Sequence, residues 1–370
     1  MIHTIQLVSP TMSFANYRCI EDRVYQNVRG GICKIINRQE SFLFFCLPQY
    51  PGLLIRLIGL AVPHIVIVVN PARILGGGYH DLCSLTPELL DKCMEPIAHI
   101  LREFETGFTV DEMMLSRIDC TLDIRFPQGN ALEAFIACVQ HTNPPRGYHI
   151  ERFSKRYPNY KEINRHSFRM ACNNVCLTIY DKAFQLMNEG LIEENEILPD
   201  RLRFEVAFHN PAFQRLFVKY QGGILIDDSN KHDAQKLIIG FSNLSLRLLQ
   251  AYFGQHMTPG QYLNKDLAFL RIDSSHFSAK VKSKMKALLT EVARCHKGGI
   301  KAALDNLEWN GLRRSELNYL MKCFEKINLN PATIKGSAGF QEFPSVTELL
   351  DNEECFIKPF FGCSNSVSEI

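Results

Sequence analysis

The sequence predicts an α+β fold, in which an antiparallel-rich sheet, or more than one, is backed by helices and followed by a mainly helical C-terminal domain. Three observations predict it. Short β-branched and aromatic segments, separated by turn residues, fill the first seventy residues. The order strand, helix, strand then occurs twice. After Gly222 and Gly223, the apolar residues recur at helical spacing.

The first strands are short and apolar, and Gly, Pro, Asn and charged residues separate them. We predict them at residues 4–8, 31–36, 41–45 and 64–69. A helix then begins with Thr86 as its N-cap and Pro87 in the first helical position. Apolar residues follow at helical spacing from 89 to 104, so this helix is predicted to face the core.

The later elements divide the chain further. A strand is predicted at 115–126, a helix at 131–140, and strands at 175–180 and 202–208, whereas 145–169 is polar and is interpreted as a loop. Residues 232–330 are largely helical, and the chain from 331 onward has six acidic and two basic residues. We therefore predict three parts, which are a domain at 1–224, a helical, basic domain at 225–335 and an extended acidic tail at 336–370.

Composition excludes several classes of protein. The 370 residues include 41 basic and 39 acidic side chains, so a nucleic-acid partner must be held by local patches rather than by the whole surface. The thirteen cysteines have no CxxC spacing, which indicates free thiols in a reducing cytoplasm rather than a zinc finger. Neither a signal peptide nor an apolar run of about 20 residues is present, so a cytoplasmic protein without a membrane span is expected.

Residues 116–123 alternate apolar and polar side chains, as a strand with two different faces does. Arg117, Asp119, Thr121 and Asp123 then share one face. Two carboxylates on one strand can coordinate a hard cation such as Mg²⁺ through oxygen. The alternatives are an exposed sheet face and an ion pair with Arg117.

Two further strands carry residues of the same chemical kind. The alternation at 202–206 places Arg203 and Glu205 on one face. We interpret them as part of the same functional sheet surface, and a solvated cross-strand pair is an equally good interpretation. The strand at 175–180 ends in Tyr180, with Lys182 two residues on. A neighbouring cation or metal would favour the phenolate that a tyrosine nucleophile requires. The alternative places the tyrosine ring in the core and its hydroxyl in water.

The segment 145–169 combines seven basic and two acidic residues with five aromatic ones. Basic groups neutralise phosphates and aromatic rings stack on unpaired bases, so the segment is interpreted as a binding site for single-stranded nucleic acid. A solvated surface loop is the alternative. The candidate contacts are Arg152, Lys155, Arg156, Tyr157, Tyr160, Lys161, Arg165 and Arg169.

A second basic region lies in the helical part of the chain. Residues 271–330 hold twelve basic and six acidic side chains. Lys280, Lys282, Lys284 and Lys286 alternate at the start of one helix, and a pair of shorter helices follows. The region is interpreted as a helical DNA-binding subdomain, with a solvated helix face as the alternative.

Short motifs in one order along the first 220 residues resemble the replication initiation proteins of filamentous phages, of the gene II type, and their phage and plasmid relatives. The matching segments are Met1-Ile2-His3-Thr4-Ile5, Asn70-Pro71-Ala72-Arg73-Ile74-Leu75-Gly76-Gly77, Ser116-Arg117-Ile118-Asp119, Tyr180 with Lys182, and Leu202-Arg203-Phe204-Glu205. Each motif is short, so their order and spacing carry the resemblance.

The resemblance implies a two-lobed rolling-circle initiator. Such proteins nick one strand of an origin through a tyrosine that becomes linked to the 5′ phosphate, and they later rejoin the displaced strand. Tyr180 would be the nucleophile with Lys182 beside it, and Asp119 and Glu205 would bind Mg²⁺ or Mn²⁺. Arg117 and Arg203 would contact phosphate or order the carboxylates.

One departure from the family concerns the metal. Val66 stands where the phage protein has an acidic residue, so one metal ligand is either absent or supplied elsewhere, with His80 and Asp123 as the candidates. The expected partners are single-stranded or supercoiled origin DNA and the host helicase and polymerase, with no membrane and no small-molecule substrate. A conjugative mobilisation relaxase with the same chemistry, and a non-catalytic DNA-binding protein on the same fold, are the alternatives.

Overall fold

The computed structural model describes residues 1–27, 33–36, 41–59, 62–127, 129–155, 159–192, 200–210, 212–213, 233–295 and 298–359. It confirms the predicted α+β class. Every strand pairing whose register is described is antiparallel. The helices dominate the C-terminal part of the chain. Among the described residues, no helix has the length and apolar character that crossing a membrane requires.

The chain forms two compact units. The first draws on the described residues of Met1–Leu122, Val206–Leu248 and Lys358–Ile370, and the second on those of Asp123–Glu205 and Leu249–Ile357. These units do not follow the predicted division near residue 225, because each combines early and late segments of the chain. Composition reports the type of secondary structure, whereas compactness depends on which elements pack together. The predicted division into a nicking domain and a DNA-binding domain concerns function and stays a prediction.

The first unit contains six strands whose hydrogen-bonded order is β2-β3-β4-β5-β1-β6. Their bounds are β1 Ile2–Val8, β2 Cys33–Ile36, β3 Ser41–Cys46, β4 Leu53–Gly59, β5 His64–Val69 and β6 Met114–Ile124, of which β6 belongs to this unit as far as Leu122. Alternate side chains of β4 are buried, as the side-chain period of a strand requires. The predicted strands at 4–8, 41–45 and 64–69 are therefore confirmed.

Three α-helices lie wholly within the described residues of the first unit, and only the start of the third was predicted; the first lies in a region where strands were predicted. They are α1 Phe14–Asn27, α2 Pro71–Ile74 and α3 Pro87–Glu103. The hydroxyl of Thr86 accepts a hydrogen bond from the Leu89 amide at 3.3 Å, and Pro87 occupies the first position of α3, as predicted. The buried face of α3 consists of Leu90, Cys93, Met94, Ile97, Ile100 and Leu101.

A β-bulge lies where β1 pairs with β6. Ile2 pairs with Cys120 and Thr4 pairs with Asp119, so His3 is an extra residue on β1. A bulge re-aims the side chains around it, and bulges are common beside active sites. His3 thus lies next to the strand that carries the predicted metal ligand.

Among the described residues, the larger sheet of the second unit has four strands in the order β10-β9-β8-β7. Their bounds are β7 His149–Glu151, β8 Ser167–Ala171, β9 Val175–Asp181 and β10 Leu202–His209, of which β10 belongs to this unit as far as Glu205. The strands predicted at 175–180 and 202–208 are confirmed. The segment 145–169, interpreted as a loop, instead contains β7, a short helix and the start of β8, because Ile150, Phe168 and Met170 supply apolar residues at strand spacing.

Most of the remaining chain is helical. The helices are α4 Asn130–Val139, α5 Tyr160–Arg165, α6 Lys182–Asn188, α7 Ala234–His256, α8 Lys265–Ser274, α9 Ala279–Arg294, α10 Gly299–Trp309, α11 Arg314–Lys326 and α12 Val346–Asp351. The first unit contains α7 as far as Leu248, and all the others lie in the second unit. This agrees with the helical periodicity predicted for 232–330 within the described residues.

The predicted extended tail differs from the structure over 336–359. Two-residue strands β11 Tyr262–Leu263 and β12 Glu342–Phe343 pair with each other, and the tail then forms α12. Phe343 contacts Phe135, with ring centroids 6.0 Å apart. This part of the tail is folded because its few apolar side chains are buried in the second unit. Residues 360–370 of the predicted tail lie outside the described residues.

Candidate active site

Asp119 is a buried carboxylate of the first unit. Arg117 donates to both of its oxygens, from Nε at 2.7 Å and from a terminal nitrogen at 2.8 Å. Burial raises the pKa of Asp119, and the charges of Arg117 and His209 and a hydrogen bond with Thr4 act against that rise. Because Arg117 keeps 34% of its side-chain surface exposed, it can leave this carboxylate without becoming a buried unpaired charge.

His3 joins Asp119 as a second ligand-type side chain of the first unit. A ring nitrogen of His3 and a carboxylate oxygen of Asp119 lie within 4.8 Å of each other. The His3 Nδ1 atom also lies 2.9 Å from the Thr4 hydroxyl. An imidazole nitrogen and a carboxylate oxygen are both donors that divalent metal ions accept. In the sequence, His3 stands out only as part of the opening motif. The bulge that places it beside Asp119 depends on pairing with a distant strand and leaves no local signal.

Asp123 is occupied by a buried ion pair in the second unit. Arg203 donates to its two oxygens at 2.6 and 2.7 Å, and Arg201 donates to one of them at 3.2 Å. Arg203 is 0% exposed. These contacts argue against Asp123 as a metal ligand, because its oxygens already accept guanidinium donors. They also argue against Arg203 as a DNA contact, and favour the expectation that it orders a carboxylate.

Tyr180 lies at the end of β9 and is buried. Its hydroxyl is 3.5 Å from Glu205 Oε2, which is longer than a strong hydrogen bond. Burial, and next the charge of Glu205, raise the pKa of Tyr180 well above its ordinary value, while Arg203 lowers it. The expected effect of a neighbouring cation is therefore present but outweighed. The phenol is protonated, and Glu205 is positioned to accept its proton.

Lys182 begins α6, two residues after Tyr180, and is also buried. Its Nζ atom donates to Gln185 Oε1 at 2.9 Å. Burial, and next the charge of Arg203, lower the pKa of Lys182 to about 7. An amine with this pKa exchanges a proton at neutral pH, which suits general acid–base chemistry.

One basic residue, Arg169, lies on the same sheet face as Tyr180. Tyr180 pairs with Ser167 across β9 and β8, and Arg169 pairs with Thr178, two residues from Tyr180. Since side chains two apart on a strand share a face, Tyr180 and Arg169 point to the same side. Arg169 is exposed, and its Nε atom lies 2.6 Å from Glu151 on β7.

The other candidate DNA contacts differ in exposure. Exposed side chains are Arg152, Lys155, Lys161, Arg165 and Arg169, whereas Tyr160 is partly buried. Arg165 forms an ion pair with Glu162 at 3.2 Å, one helical turn away. Arg156 and Tyr157 lie outside the described residues. The described basic residues thus present a solvent-exposed surface on the unit that holds Tyr180.

The missing acidic ligand concerns two residues, which are Val66 at its position and His80 as a candidate replacement. Val66 is buried on β5. The His80 Nε2 atom lies 3.3 Å from Asp81, whose carboxylate also accepts the Gly78 amide at 2.8 Å. His80 is thus part of the turn that follows α2.

A histidine near Tyr180 has no role in the sequence-based prediction. His166 Nδ1 lies 3.1 Å from Asp181 Oδ2, and its ring stacks on Phe184 at 3.9 Å. Asp181 also accepts the Phe184 amide at 3.0 Å and so caps α6. These contacts fix the helix start just after Tyr180. His166 and Asp181 are fifteen residues apart, so sequence spacing gives no sign of this pair.

Comparisons with protein-family profiles and with curated proteins give no match for this chain.

Proposed function

We propose that this protein is a rolling-circle DNA replication initiator that nicks and rejoins single-stranded origin DNA through Tyr180. The observation that carries the proposal is the arrangement in the second unit. A buried tyrosine hydroxyl lies 3.5 Å from the Glu205 carboxylate, and a lysine whose pKa is about 7 follows two residues later. One exposed basic side chain, Arg169, shares the sheet face of Tyr180.

The proposed reaction is a transesterification. The Tyr180 oxygen attacks the phosphorus, its proton passes to Glu205, and the bond to the 3′ oxygen breaks. The 3′ oxygen takes up a proton, for which Lys182 is the candidate donor because its pKa lies near neutral pH. The 5′-phosphotyrosine ester keeps the bond energy for rejoining, so no ATP is needed.

A divalent cation fits the donor set in part. Asp119 and His3 of the first unit are the proposed ligands. Glu205, which the resemblance implies as a further ligand, belongs to the second unit and is proposed here as the acceptor of the Tyr180 proton. Asp123 is left out because its oxygens accept hydrogen bonds from two arginines. Carboxylate oxygens suit Mg²⁺, and an added imidazole suits Mn²⁺. When bound, the ion would neutralise charge on the phosphoryl oxygens.

The proposal extends to the setting of the reaction. Its partners would be single-stranded or supercoiled origin DNA, with a host helicase and polymerase, in the cytoplasm. A mobilisation relaxase would use the same residues. The non-catalytic alternative is favoured by one observation, which is the raised pKa of Tyr180, since a protonated phenol is a poor nucleophile.

The test is the formation of a covalent adduct. The full chain is incubated with Mg²⁺ or Mn²⁺ and labelled supercoiled circles that carry DNA flanking its own gene. We expect a protein–DNA adduct that survives denaturing electrophoresis and maps to Tyr180 by mass spectrometry. Tyr180→Phe should abolish it, whereas Tyr148→Phe, which changes another partly buried tyrosine of the same unit, should keep it.

Two results would count against this function. An adduct that persists in Tyr180→Phe would assign the nucleophile elsewhere. Absence of any adduct or nick, with DNA binding retained, would favour the non-catalytic alternative.

A further inference from the structure

Three helices near the C-terminal end of the second unit share a small apolar core. The helices are α9, α10 and α11, and each has one buried face. The buried side chains are Met285, Leu288, Leu289, Val292, Ile300, Ala303, Leu304, Leu317, Leu320, Cys323 and Phe324. Their opposite faces are polar, which is the pattern of a helical subdomain exposed to solvent.

A four-residue turn joins α10 to α11. Gly311 has a φ of +98°, which glycine adopts without steric strain. The Gly311 amide donates to the Glu308 carbonyl and the Leu312 amide to the Leu307 carbonyl, both at 3.0 Å, so α10 ends abruptly. A short turn that contains glycine is a feature of the connection between the two helices of a helix-turn-helix.

Glu316 fixes this turn from the inside. One of its oxygens accepts the Lys284 ammonium of α9 at 2.6 Å, and the other accepts the Arg313 amide at 3.2 Å. Arg314 donates to Glu308 across the turn at 3.1 Å. The acidic groups of the turn are thus paired with cations of the same subdomain, and the three helices are held in a defined arrangement.

The exposed face of α11 carries hydrogen-bonding side chains. Ser315, Asn318, Tyr319 and Lys322 are all exposed and recur at the i, i+3, i+4, i+7 spacing of one helix face. Arg313 is exposed at the start of the helix. These are residue types that hydrogen-bond base edges and phosphates, with Asn suited to adenine and Ser to several bases.

An exposed aromatic side chain lies beside the turn. Trp309 is the last residue of α10 and is 91% exposed. It is also the only tryptophan of the chain. A ring this exposed has no packing role within the subdomain, and tryptophan is enriched among the residues that dominate binding interfaces.

The charge of the region favours a polyanion as the partner. Residues 271–330 hold twelve basic and six acidic side chains. Lys282 and Lys286 are held by Asp273 at 2.7 Å each, so they shape the subdomain. Arg313 and Lys322 extend from α11 into solvent.

We propose that α10 and α11 form a helix-turn-helix that binds duplex DNA in a sequence-dependent way, with α11 in the major groove. An α-helix fits the width of that groove, and the N-terminal residues of the second helix face the base edges. Ser315 and Asn318 read bases, Arg313 and Lys322 contact phosphates, and Trp309 lies against the DNA backbone. The site adds duplex recognition to the proposed function and stands or falls separately from nicking.

The first test is selection from a random duplex pool by the full chain, with chelator present so that nicking is not measured. We expect one enriched motif. Asn318→Ala should weaken binding to that motif about 5- to 150-fold and relax preference at one base pair. Lys322→Ala should weaken binding to all duplexes alike and lower the salt slope by about one. Lys335→Ala, an exposed charge outside the three helices, is the matched control and should change neither.

The second readout is tryptophan fluorescence, since all of the emission comes from Trp309. The motif duplex should shift or quench it at concentrations where the Asn318→Ala variant shows no change. Melting temperatures should be equal, because the substituted residues are exposed. The proposal is overturned if no duplex motif is enriched, or if the motif survives both Asn318→Ala and Ser315→Ala.

Discussion

Asp119 and Asp123 lie four residues apart on one strand, and each has a bidentate arginine partner. The two pairs differ in the arginine. Arg117 keeps 34% of its side chain exposed, whereas Arg203 is wholly buried and Arg201 adds a third donor to Asp123. Two aspartates with the same kind of arginine partner thus have different chemical environments. Asp123 is locked into a structural pair, whereas Asp119 can exchange its partner for another cation.

The largest effect is expected from breaking the locked pair. Asp123→Asn should lower the free energy of unfolding by about 3–5 kcal/mol, because it removes the charge of the carboxylate to which the buried Arg203 donates two hydrogen bonds. Urea denaturation followed by circular dichroism measures this change. Asp119→Asn is the matched control on the same strand. Equal losses of stability in the two variants would remove the distinction between them.

Asp119→Asn should affect activity rather than stability. Arg117 is partly exposed and can be hydrated when Asp119 carries no charge, so the free energy of unfolding should fall by less than in Asp123→Asn. Cation-dependent nicking should fall about a hundredfold or more, since a metal ligand is lost. The check is a time course of nicking at several Mg²⁺ and Mn²⁺ concentrations. Nicking that remains at the original rate would exclude Asp119 as a ligand.

The last effect appears only in the pH dependence of stability and concerns Lys182, whose Nζ atom donates to an amide oxygen. Lys182 has a pKa of about 7 in the folded protein, against about 10.5 for an unpaired lysine. Between pH 7 and 10.5, Lys182 is protonated in the unfolded chain but mostly neutral in the folded protein. The free energy of unfolding should therefore rise with pH, by at most about 1.4 kcal/mol per pH unit. Lys182→Met should abolish that slope and be most stabilising below pH 7.

Urea midpoints at several pH values between 6 and 10 test the Lys182 prediction. Lys161→Met, an exposed lysine of the same unit, should leave the slope as it is. Parallel curves for the native chain and Lys182→Met would show that Lys182 has an ordinary pKa. Such a result would also weaken its proposed role as a proton donor.

Elements with strong local signals could be predicted from the sequence. Helix α3 begins at the Thr86 cap, and β5 and β9 lie where β-branched runs predict them, because each depends on neighbouring residues. The fold of the tail has no such local signal, since Phe343 contacts Phe135, which lies 208 positions earlier in the chain. The bulge at His3 and the pairing of His166 with Asp181 depend in the same way on partners that are distant in the chain.

The sequence by itself determined the α+β class and the residue types of the candidate site, since strand alternation puts Arg203 with Glu205 and Asp119 with Asp123 on shared faces. The protonation and the partners of those residues depend on the folded chain. Burial and distant partners set the raised pKa of Tyr180, the lowered pKa of Lys182 and the occupation of Asp123 by two arginines. The reason is physical, because the energy of a charge depends on the solvent and charges around it.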